Sequence, residues 1–303
     1  NWIQLPASVA LPFGTFDATL NDPMNAQVKT KLESQILALK QFDDSKDGDG
    51  FRALIDDIKS TISSLKPTKA LQSELESCFT KEKLSWPGDL ETSEQGQEAW
   101  RTICAVWSSK YNERAVLSCK KAGLNHDDLN MAVLCQPVVN AKYAFVLHTV
   151  HPQTNDQTEI YGELVCGMGE ALVGNFAGRA LSFTVKKSDL DRPTINGFPS
   201  KSKGLFARQN TLIFRSDSNG EDLEGFAGAG LYDSVCMNEP SLESIDYTNE
   251  PISNNEDFRN QMLSAIAKSG MEIENLLGSA QDIEGAITED GKLFVVQTRP
   301  QVF

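Results

Sequence analysis

The hydrophobic period of this chain changes from helical to mainly strand-like near residue 125, and that change limits the folds that the chain can adopt. Before this point apolar residues recur at steps of three and four, as in Val28, Leu32 and Ile36, which is typical of helices that bury one face. After it, short runs rich in Val, Ile, Phe and Tyr alternate with glycine and polar turns, which is typical of β-strands. We therefore predict an α/β chain with a mainly helical part at 1–125 and a sheet part at 126–303.

Several segments have the helical period, and each is bounded by recognisable start or stop residues. The longest apolar stripe, from Glu98 to Ala122, predicts a single helix that ends at Gly123. The acidic loop at 43–50 is predicted to be a solvated connection, because it lacks the spacing and the closing glutamate of a calcium loop. The predicted helices are Asn25–Phe42, Phe51–Leu65, Lys69–Phe79, Glu98–Ala122 and Glu256–Leu277.

The second part of the chain is predicted to form a central antiparallel or mixed sheet. Met131–Val139 and Tyr143–Thr149 are separated by a short polar link, and this spacing predicts a hairpin. Another hairpin is predicted near the end, where Gln281–Ile287 and Lys292–Pro300 flank the turn Thr288–Gly291. Further strands are predicted at Ile160–Val165, Leu181–Lys186 and Thr211–Phe214.

The charge of the chain excludes some classes of partner. Its formal net charge of −14 at pH 7 argues against binding to nucleic acid or to an anionic membrane. No apolar run approaches the ~20 residues that a membrane-spanning helix needs. The six cysteines are scattered without a CxxC pair, so we predict free thiols in a reducing compartment. The chain starts at Asn1 without a methionine or a targeting sequence, so we expect a fragment of a longer protein.

One segment combines three features that suit a polyphosphate ligand. Arg215 follows a short apolar strand, and its guanidinium offers planar donors that match phosphate oxygens. Glu221 and Asp222 follow a polar turn, and such acids can hold Mg²⁺ beside a nucleotide. Glycines then allow backbone N–H groups to approach phosphate closely; they are Gly225, Gly228 and Gly230. The alternative is an ordinary strand, turn and glycine-rich loop.

The predicted C-terminal hairpin carries a second polar group. Gln297 and Arg299 are two residues apart on one strand and should share a face. Glu284 lies on the other strand, across from the Gln297 region if the turn is centred on Glu289 and Asp290. A carboxylate, an amide oxygen and a guanidinium would then provide oxygen ligands for Mg²⁺ and a cation for phosphate. The alternative is an ordinary exposed polar face.

Three further polar residues lie in or beside predicted strands. Glu170 follows the turn Gly167–Gly169, where it can be a helix-start acid or a contact to ribose or metal. Gln136 lies near the end of a strand and can border an adenine pocket or form an ordinary hydrogen bond at the core edge. His148 has apolar neighbours, which favours a satisfied, partly buried histidine over a catalytic one.

Taken together, these groups and several longer segments resemble a known family. Over essentially its whole length the chain is similar to the C-terminal nucleotide-binding domain of plant α-glucan, water dikinases. The segments that carry the resemblance are Leu5–Thr15, Trp86–Asp89, Val106–Ala115, Phe214–Val235, Gln281–Gly285 and Val296–Gln301. The resemblance implies an ATP-grasp-like fold, shared with phosphoenolpyruvate synthase and pyruvate phosphate dikinase. It also implies ATP as substrate, Mg²⁺ as cofactor and a plastid location, with a cytosolic form as the alternative.

The reaction of that family converts ATP, an α-glucan and water into AMP, phosphoglucan and orthophosphate. The resemblance implies that the β-phosphate passes first to a histidine in another domain and then to a glucosyl hydroxyl of starch. The expected partners are therefore that phosphohistidine domain and the glucan. His126, His148 and His151 lack the Thr-x-x-His context of the family, so none of them is expected to carry the phosphate.

The resemblance gives each candidate residue a role. Arg215 and Arg299 look like the two arginines that grip the triphosphate and act in catalysis. Glu284 and Gln297 look like the Mg²⁺ ligands. The other residues expected to contact the nucleotide are Gln136, Glu170, Glu221, Asp222, Gly225, Gly228 and Gly230. These roles agree with the chemistry of phosphoryl transfer, which depends mostly on positioning and charge neutralisation.

The order of the motifs separates this chain from the pyruvate-using enzymes. The arginine–glycine segment follows the glycine turn before Glu170, whereas in phosphoenolpyruvate synthase it precedes that turn. A lysine-bearing segment that the family carries before Leu5–Thr15 is expected to lie outside this chain. Two alternatives stay open, a phosphoenolpyruvate synthase-like enzyme and a non-catalytic glucan-binding module. Against the module, Trp100, Trp107 and Tyr111 have helical spacing, which predicts a place in the core.

Overall fold

The protein consists of two compact units, each assembled from separate segments of the chain. A computed structural model describes residues 2–44, 46–174, 176–208, 211–221 and 230–301. The sheet unit comprises Asn1–Pro6, Val138–Asn210 and Glu239–Phe303, and the helical unit comprises Ala7–Pro137 and Thr211–Asn238. The units therefore do not follow the sequence-based division after residue 125. The change of period marks where helices give way to strands, and it does not show which helices a given strand packs against.

The elements confirm the predicted α/β class. The helices are α1 (Thr15–Leu20), α2 (Ala26–Gln41), α3 (Gly48–Ser63), α4 (Lys69–Lys81), α5 (Glu94–Ser108), α6 (Glu113–Ala122), α7 (Glu170–Val173), α8 (Pro251–Asn254) and α9 (Glu256–Leu277). The strands are β1 (Ile3–Gln4), β2 (Val9–Leu11), β3 (Met131–Pro137), β4 (Ala141–His148), β5 (Glu159–Cys166), β6 (Leu181–Lys186), β7 (Thr194–Gly197), β8 (Lys203–Phe206), β9 (Leu212–Ser218), β10 (Val235–Cys236), β11 (Ser241–Ser244), β12 (Gln281–Thr288) and β13 (Leu293–Pro300). Within the described ranges, none of the helices is long and apolar enough to cross a membrane.

The helical unit packs its helices on one face of a four-stranded sheet. The strand order is β10-β9-β3-β2, and neighbouring strands are antiparallel. Alternate residues of β3, including Val133 and Cys135, are buried in an apolar cluster with residues of α5. Trp100, Trp107 and Tyr111 lie in the same cluster. Their helical spacing therefore predicted a core position correctly, and these aromatic rings do not form an exposed sugar-binding surface.

The sheet unit is built on a seven-stranded sheet with the order β1-β13-β12-β4-β5-β6-β7. Only β1 and β13 run parallel among these described neighbours, so the sheet is mixed, as predicted. One face packs against α9 through residues such as Leu147, Ile283 and Ile266. Helix α9 has the predicted bounds, because Asn255 caps its start and Gly278 ends it in the left-handed region. A separate two-stranded sheet joins β8 and β11.

The single helix predicted at Glu98–Ala122 is wrong. Helices α5 and α6 are separated by the 3₁₀ turn Ser109–Tyr111 and by Asn112. Asn112 Nδ2 donates to Asp233 Oδ1 at 3.0 Å, a contact between distant parts of the sequence. The backbone of Asn112 is not helical, with ψ 139°, so the helix is interrupted there although the apolar stripe continues.

The hairpin predicted from Met131–Val139 and Tyr143–Thr149 is also wrong, because β3 and β4 belong to different sheets. Strand β3 lies between β2 and β9, whereas β4 lies between β12 and β5. Alternating hydrophobicity identifies a strand and its buried face, but it does not identify the partner. The C-terminal hairpin is confirmed, since β12 and β13 pair in antiparallel register.

Candidate functional site

Polar side chains cover part of the sheet face that is turned away from α9. We call this set the polar face; its members are His148, Glu163, Asp282, Glu284, Gln297 and Arg299. Glu284 is directly paired with Gln297 across β12 and β13, and Asp282 is paired with Arg299. Directly paired residues point to the same side of a sheet. The structure therefore brings Glu284, Gln297 and Arg299 together, as the sequence predicted.

A β-bulge sets which residues of β13 reach the polar face. The register shifts beside Glu284, so that Gly285 pairs with Val295 and Val296 is the extra residue. Val295 is buried in the apolar cluster on the α9 side. Strict alternation from Val295 would place Gln297 on that apolar side as well. The extra residue instead turns Gln297, and with it Arg299 two residues later, to the polar side.

Glycine is required at the bulge because two other groups approach it closely. A Cβ on Gly285 would lie 2.6 Å from the backbone oxygen of Phe294 and 2.2 Å from Cζ of Phe145. Neither distance is compatible with an unshifted side chain, and the first involves backbone that cannot rotate away. The polar face therefore depends on a residue that has no polar group of its own.

Arg299 is held by Asp282, a residue that the sequence analysis missed. Asp282 Oδ2 accepts a hydrogen bond from Arg299 Nε at 3.0 Å and lies 2.9 Å from Nη2 of the same side chain. A two-point contact of this kind fixes the plane of the guanidinium. The Arg299 side chain remains 38% exposed, so its other N–H groups can reach a ligand. The Asp-x-Glu spacing of Asp282 and Glu284 was the available signal, because it places both carboxylates on one face.

Glu284 and Gln297 offer oxygen atoms of the kind that Mg²⁺ prefers. They are opposed across two strands, and both are half-buried. Among the described residues, no group of three or more His, Cys, Asp or Glu side chains is placed to hold a metal. A Mg²⁺ ion held by this pair would need further ligands from phosphate and water, which is the usual arrangement in nucleotide sites.

His148 is partly buried, as predicted, but the expectation that it is satisfied is wrong. Its Nδ1 is buried and has no hydrogen-bond partner within the described ranges. The carboxylate of Asp282 is close, with 3.7 Å between His148 Nδ1 and Asp282 Oδ1. Burial lowers the pKa of His148, and the nearby Asp282 carboxylate raises it by a smaller amount. The lower pKa favours the neutral form of the imidazole.

Glu170 lies on the same side of the sheet as the polar face. It begins α7, whose Ala171 packs with Ala144 and Val165. These two residues alternate with core residues on their strands and so belong to the side that carries the polar face. Burial raises the pKa of the Glu170 carboxyl. The preceding turn needs glycine at Gly167, which has φ 84° and where a Cβ would lie 2.2 Å from a backbone oxygen of β8.

In the helical unit, Arg215 and Gln136 share one face of the four-stranded sheet. Arg215 pairs with Leu134, and Gln136 pairs with Ile213 two residues before Arg215. The opposite face, which includes the buried Phe214, belongs to the apolar core. Gln136 itself is buried, and its Nε2 donates to a side-chain oxygen of the segment before β2 at 2.9 Å. That bond agrees with the simpler alternative, an ordinary hydrogen bond at the core edge.

The glycine-rich segment is described only at its two ends. At the first end, Glu221 Oε1 accepts a hydrogen bond from Ser216 Oγ at 3.3 Å. At the other end, Gly230 has a left-handed φ of 73°, and its carbonyl accepts a hydrogen bond from Arg114 Nη2 at 2.8 Å. Arg114 of α6 thus fixes the point where the segment ends. The predicted residues Asp222, Gly225 and Gly228 lie outside the described residues.

Residues 80–303 match the family model described as pyruvate phosphate dikinase, AMP/ATP-binding domain, and the chain belongs to that family. The family description agrees with the ATP substrate that the motifs predicted. The mixed α/β architecture agrees with the nucleotide-binding fold that the resemblance implied.

Individual relatives give a closer comparison. The chain is 50% identical over 302 residues to alpha-glucan water dikinase 1, chloroplastic, of Arabidopsis thaliana, which is 100% of this chain and 21% of the relative. It is 48% identical over 300 residues to the chloroplastic alpha-glucan water dikinase of Solanum tuberosum, 99% of this chain and 20% of the relative. Phosphoenolpyruvate synthase of Pyrococcus furiosus is 25% identical over 195 residues, 64% of this chain and 21% of the relative. The resemblance predicted from the motifs is confirmed, and the chain spans about a fifth of the length of these relatives.

Proposed function

We propose that this chain is the ATP-binding part of an α-glucan, water dikinase. The observation that carries the proposal is the extent of similarity. Identity to an α-glucan water dikinase reaches 50% over all of this chain, whereas the phosphoenolpyruvate synthase of Pyrococcus furiosus is 25% identical over 64% of it. Because several of these relatives are named chloroplastic, we place the longer protein in the plastid.

In this proposal the polar face binds the phosphates of ATP. Two N–H groups of Arg299 are directed at Asp282, which leaves the guanidinium oriented and its other donors available to phosphate oxygens. Glu284 and Gln297 would hold Mg²⁺, which when bound neutralises phosphate charge. Glu170, on the same side of the sheet, is proposed as a further nucleotide contact. Burial raises the pKa of its carboxyl, which favours the neutral form and so reduces repulsion of phosphate.

The helical unit is proposed to supply a second set of nucleotide contacts. These are Arg215 for phosphate, Gln136, Glu221 and Asp222 with the glycines Gly225, Gly228 and Gly230. Support comes from the shared sheet face of Arg215 and Gln136 and from the left-handed Gly230 that ends the segment. Glycine in that conformation lets the backbone turn sharply, as phosphate-binding loops require.

The proposed reaction moves the two terminal phosphates of ATP to different acceptors. The β-phosphate passes to a histidine elsewhere in the longer protein, the γ-phosphate passes to water, and AMP is released. The phosphohistidine then transfers its phosphate to a glucosyl hydroxyl of an α-glucan. The residues of this chain orient the triphosphate and balance its charge, and phosphoryl transfer depends mainly on these two effects.

Position-specific labelling of ATP tests this reaction in the longer protein. With label in the β-phosphate, we expect radioactivity first in the protein and then in the glucan. With label in the γ-phosphate, we expect it in orthophosphate. Stable transfer of the γ-label to glucan would contradict a dikinase and indicate an ordinary kinase.

The similarity to phosphoenolpyruvate synthases supports one second candidate, a dikinase that uses pyruvate. To distinguish this candidate from the α-glucan, water dikinase, pyruvate or maltodextrin is added to the phosphorylated protein and the loss of label from the protein is followed. Release of label by pyruvate alone would favour this second candidate. The alternative of a non-catalytic glucan-binding module is tested by calorimetric titration with Mg·ATP and with maltodextrin. Such a module would bind glucan and not nucleotide.

A further inference from the structure

The cross-strand row that contains Arg299 continues beyond Asp282. In the register of the sheet, Asp282 is paired with Arg299 on one side and with His148 on the other, and His148 is paired with Tyr161. Directly paired residues have Cβ atoms about 4.5–5.5 Å apart, so these four side chains form a continuous row. The proposed function uses only the arginine end of it.

The carboxylate of Asp282 has one oxygen toward each neighbour. Oδ2 contacts Nε and Nη2 of Arg299 at 3.0 and 2.9 Å. Oδ1 lies 3.7 Å from Nδ1 of His148, which is too long for a hydrogen bond. An approach of roughly 0.7 Å would bring the pair to an ordinary N–H···O distance.

His148 is held from its other side. Its ring lies nearly parallel to that of Tyr161, with centroids 6.4 Å apart and an interplanar angle of 26°. The Tyr161 hydroxyl donates to Glu163 Oε1 at 2.6 Å, which fixes the tyrosine in turn. Because Nδ1 is buried and unpartnered within the described part of the chain, a hydrogen bond to Asp282 would remove an energetic penalty. The charged and titratable groups that act on His148 are Asp282, Glu163, Arg299 and His151.

We propose that His148 is a positioning residue for triphosphate binding: when the ligand binds, its Nδ1–H closes the 3.7 Å gap to Asp282 and holds the carboxylate that fixes the guanidinium plane of Arg299. This inference rests on the proposed role of Arg299 in ATP binding. When phosphate oxygens bind the guanidinium of Arg299, Asp282 has to share this partner with the ligand. His148 then supplies the second donor that keeps the carboxylate in place. His148 does not touch phosphate and carries no phosphoryl group.

Two substitutions of His148 separate its donor from its packing. His148→Phe keeps a ring beside Tyr161 but removes the donor, and we expect affinity for Mg·ATP to fall about 5–10-fold. Affinity for AMP, which lacks the phosphates that Arg299 binds, should stay within about twofold. His148→Asn places an amide N–H near the position of Nδ1 and should restore Mg·ATP affinity to within about threefold of wild type. Calorimetric titration of the 303-residue chain gives each constant.

A matched control is available at His151. Its ring also contacts Tyr161, with centroids 5.2 Å apart, but its Nδ1 accepts backbone N–H groups of Gln153 and Thr154. His151→Asn is therefore expected to leave the ratio of ATP to AMP affinity unchanged. A change in that ratio as large as that of His148→Phe would overturn the inference.

A double-mutant cycle tests whether His148 acts through the arginine. If it does, His148→Phe adds no further loss of ATP affinity in an Arg299→Ala background. Additive losses, equal losses for ATP and AMP, or no loss in His148→Phe would each overturn the positioning role. If Arg299→Ala weakens ATP binding and His148→Phe does not, only this inference fails. If the unsubstituted chain does not prefer ATP to AMP, or Arg299→Ala has no effect, the proposed function fails as well.

Discussion

The two units each present a candidate arginine on a sheet, but they surround it differently. In the sheet unit, Arg299 lies beside Asp282, and Glu284 is two residues away from Asp282 on the same face. In the helical unit, Arg215 is paired with Leu134, and Ile213 precedes it on the same face. The first arginine therefore has a carboxylate that sets its plane, whereas Leu134, the residue directly paired with the second arginine on β3, is apolar. In the sheet unit it is Asp282 that fixes the orientation of the guanidinium.

The largest effect is expected from Gly285→Ala, because this substitution disrupts the β-bulge that turns Gln297 and Arg299 to the polar face. The added Cβ meets the backbone of Phe294 and the ring of Phe145, so we expect a loss of about 1–3 kcal/mol in the free energy of unfolding. ATP binding should be lost as well, since Gln297 and Arg299 would no longer be turned to the same side as Glu284. Urea unfolding and calorimetry measure the two effects.

Gly48→Ala is the matched control in the helical unit. No atom lies within 4 Å of the added Cβ at Gly48, so stability should change by at most ~0.5 kcal/mol. Wild-type stability and ATP affinity in Gly285→Ala would show that the bulge is not needed for the site.

Lysine substitutions test the difference between the two arginines directly. Arg299→Lys cannot contact Asp282 at two points, so we expect it to weaken Mg·ATP binding about 10–100-fold, nearly as much as Arg299→Ala. Arg215→Lys should retain more affinity than Arg215→Ala, because its directly paired residue Leu134 is apolar and a lysine still supplies a positive charge for phosphate. If the lysine variants at both positions kept the same fraction of the wild-type Mg·ATP affinity, the two arginines would not differ in this way.

A smaller effect is expected from Glu284→Gln, which removes one charge from the proposed metal pair. We expect the Mg²⁺ concentration needed for half-maximal ATP binding to rise about tenfold, because a neutral amide is a weaker ligand than a carboxylate. Glu243→Gln serves as the control, since Glu243 is an exposed residue of the separate two-stranded sheet, where it is paired with Gly204. The same Mg²⁺ requirement in Glu284→Gln and wild type would rule Glu284 out as a ligand.

The smallest predicted effect concerns His126 in the helical unit. Burial, helped by the charge of Lys110, lowers the pKa of His126 from 6.5 to about 4. The unfolded chain therefore binds this proton more readily, so the stability linked to it is complete above pH 6.5 and is lost as the pH falls toward 4. When the pH is lowered from 7 to 5, the unfolding free energy of the wild type falls in part because of His126. In His126→Gln this decrease should be smaller by about 1–2 kcal/mol. Urea unfolding at the two pH values checks this, and an unchanged pH dependence would contradict it.

Local patterns in the sequence predicted what depends on local chemistry. The α9 boundaries followed from Asn255 and Gly278, which are start and stop signals that act within a few residues. The C-terminal hairpin followed from its turn and from alternation on both strands, and its register opposes Glu284 and Gln297 as expected. The roles assigned to these residues stay predictions until binding is measured.

Long-range features could not be derived in the same way. The break after Ser109–Tyr111 lies at Asn112, whose side chain is bonded to the distant Asp233, and the partners of β3 come from segments far along the chain. The bulge beside Gly285 reverses the side that strict alternation assigns to Gln297 relative to Val295. Asp282 was missed because its importance arises only once Arg299 and His148 are brought to either side of it.

The interleaved division of the chain also constrains how the protein can fold during synthesis. Strand β12 pairs with β4 in the finished sheet, yet it is made more than a hundred residues later. At about 5–20 residues per second, the β4 edge therefore waits on the order of 10 s for its partner after it leaves the ribosome. An unpaired strand edge of that kind invites pairing with other chains. The late arrival of β12 and β13, which carry Asp282, Glu284, Gln297 and Arg299, thus closes the sheet and completes the polar face in one step.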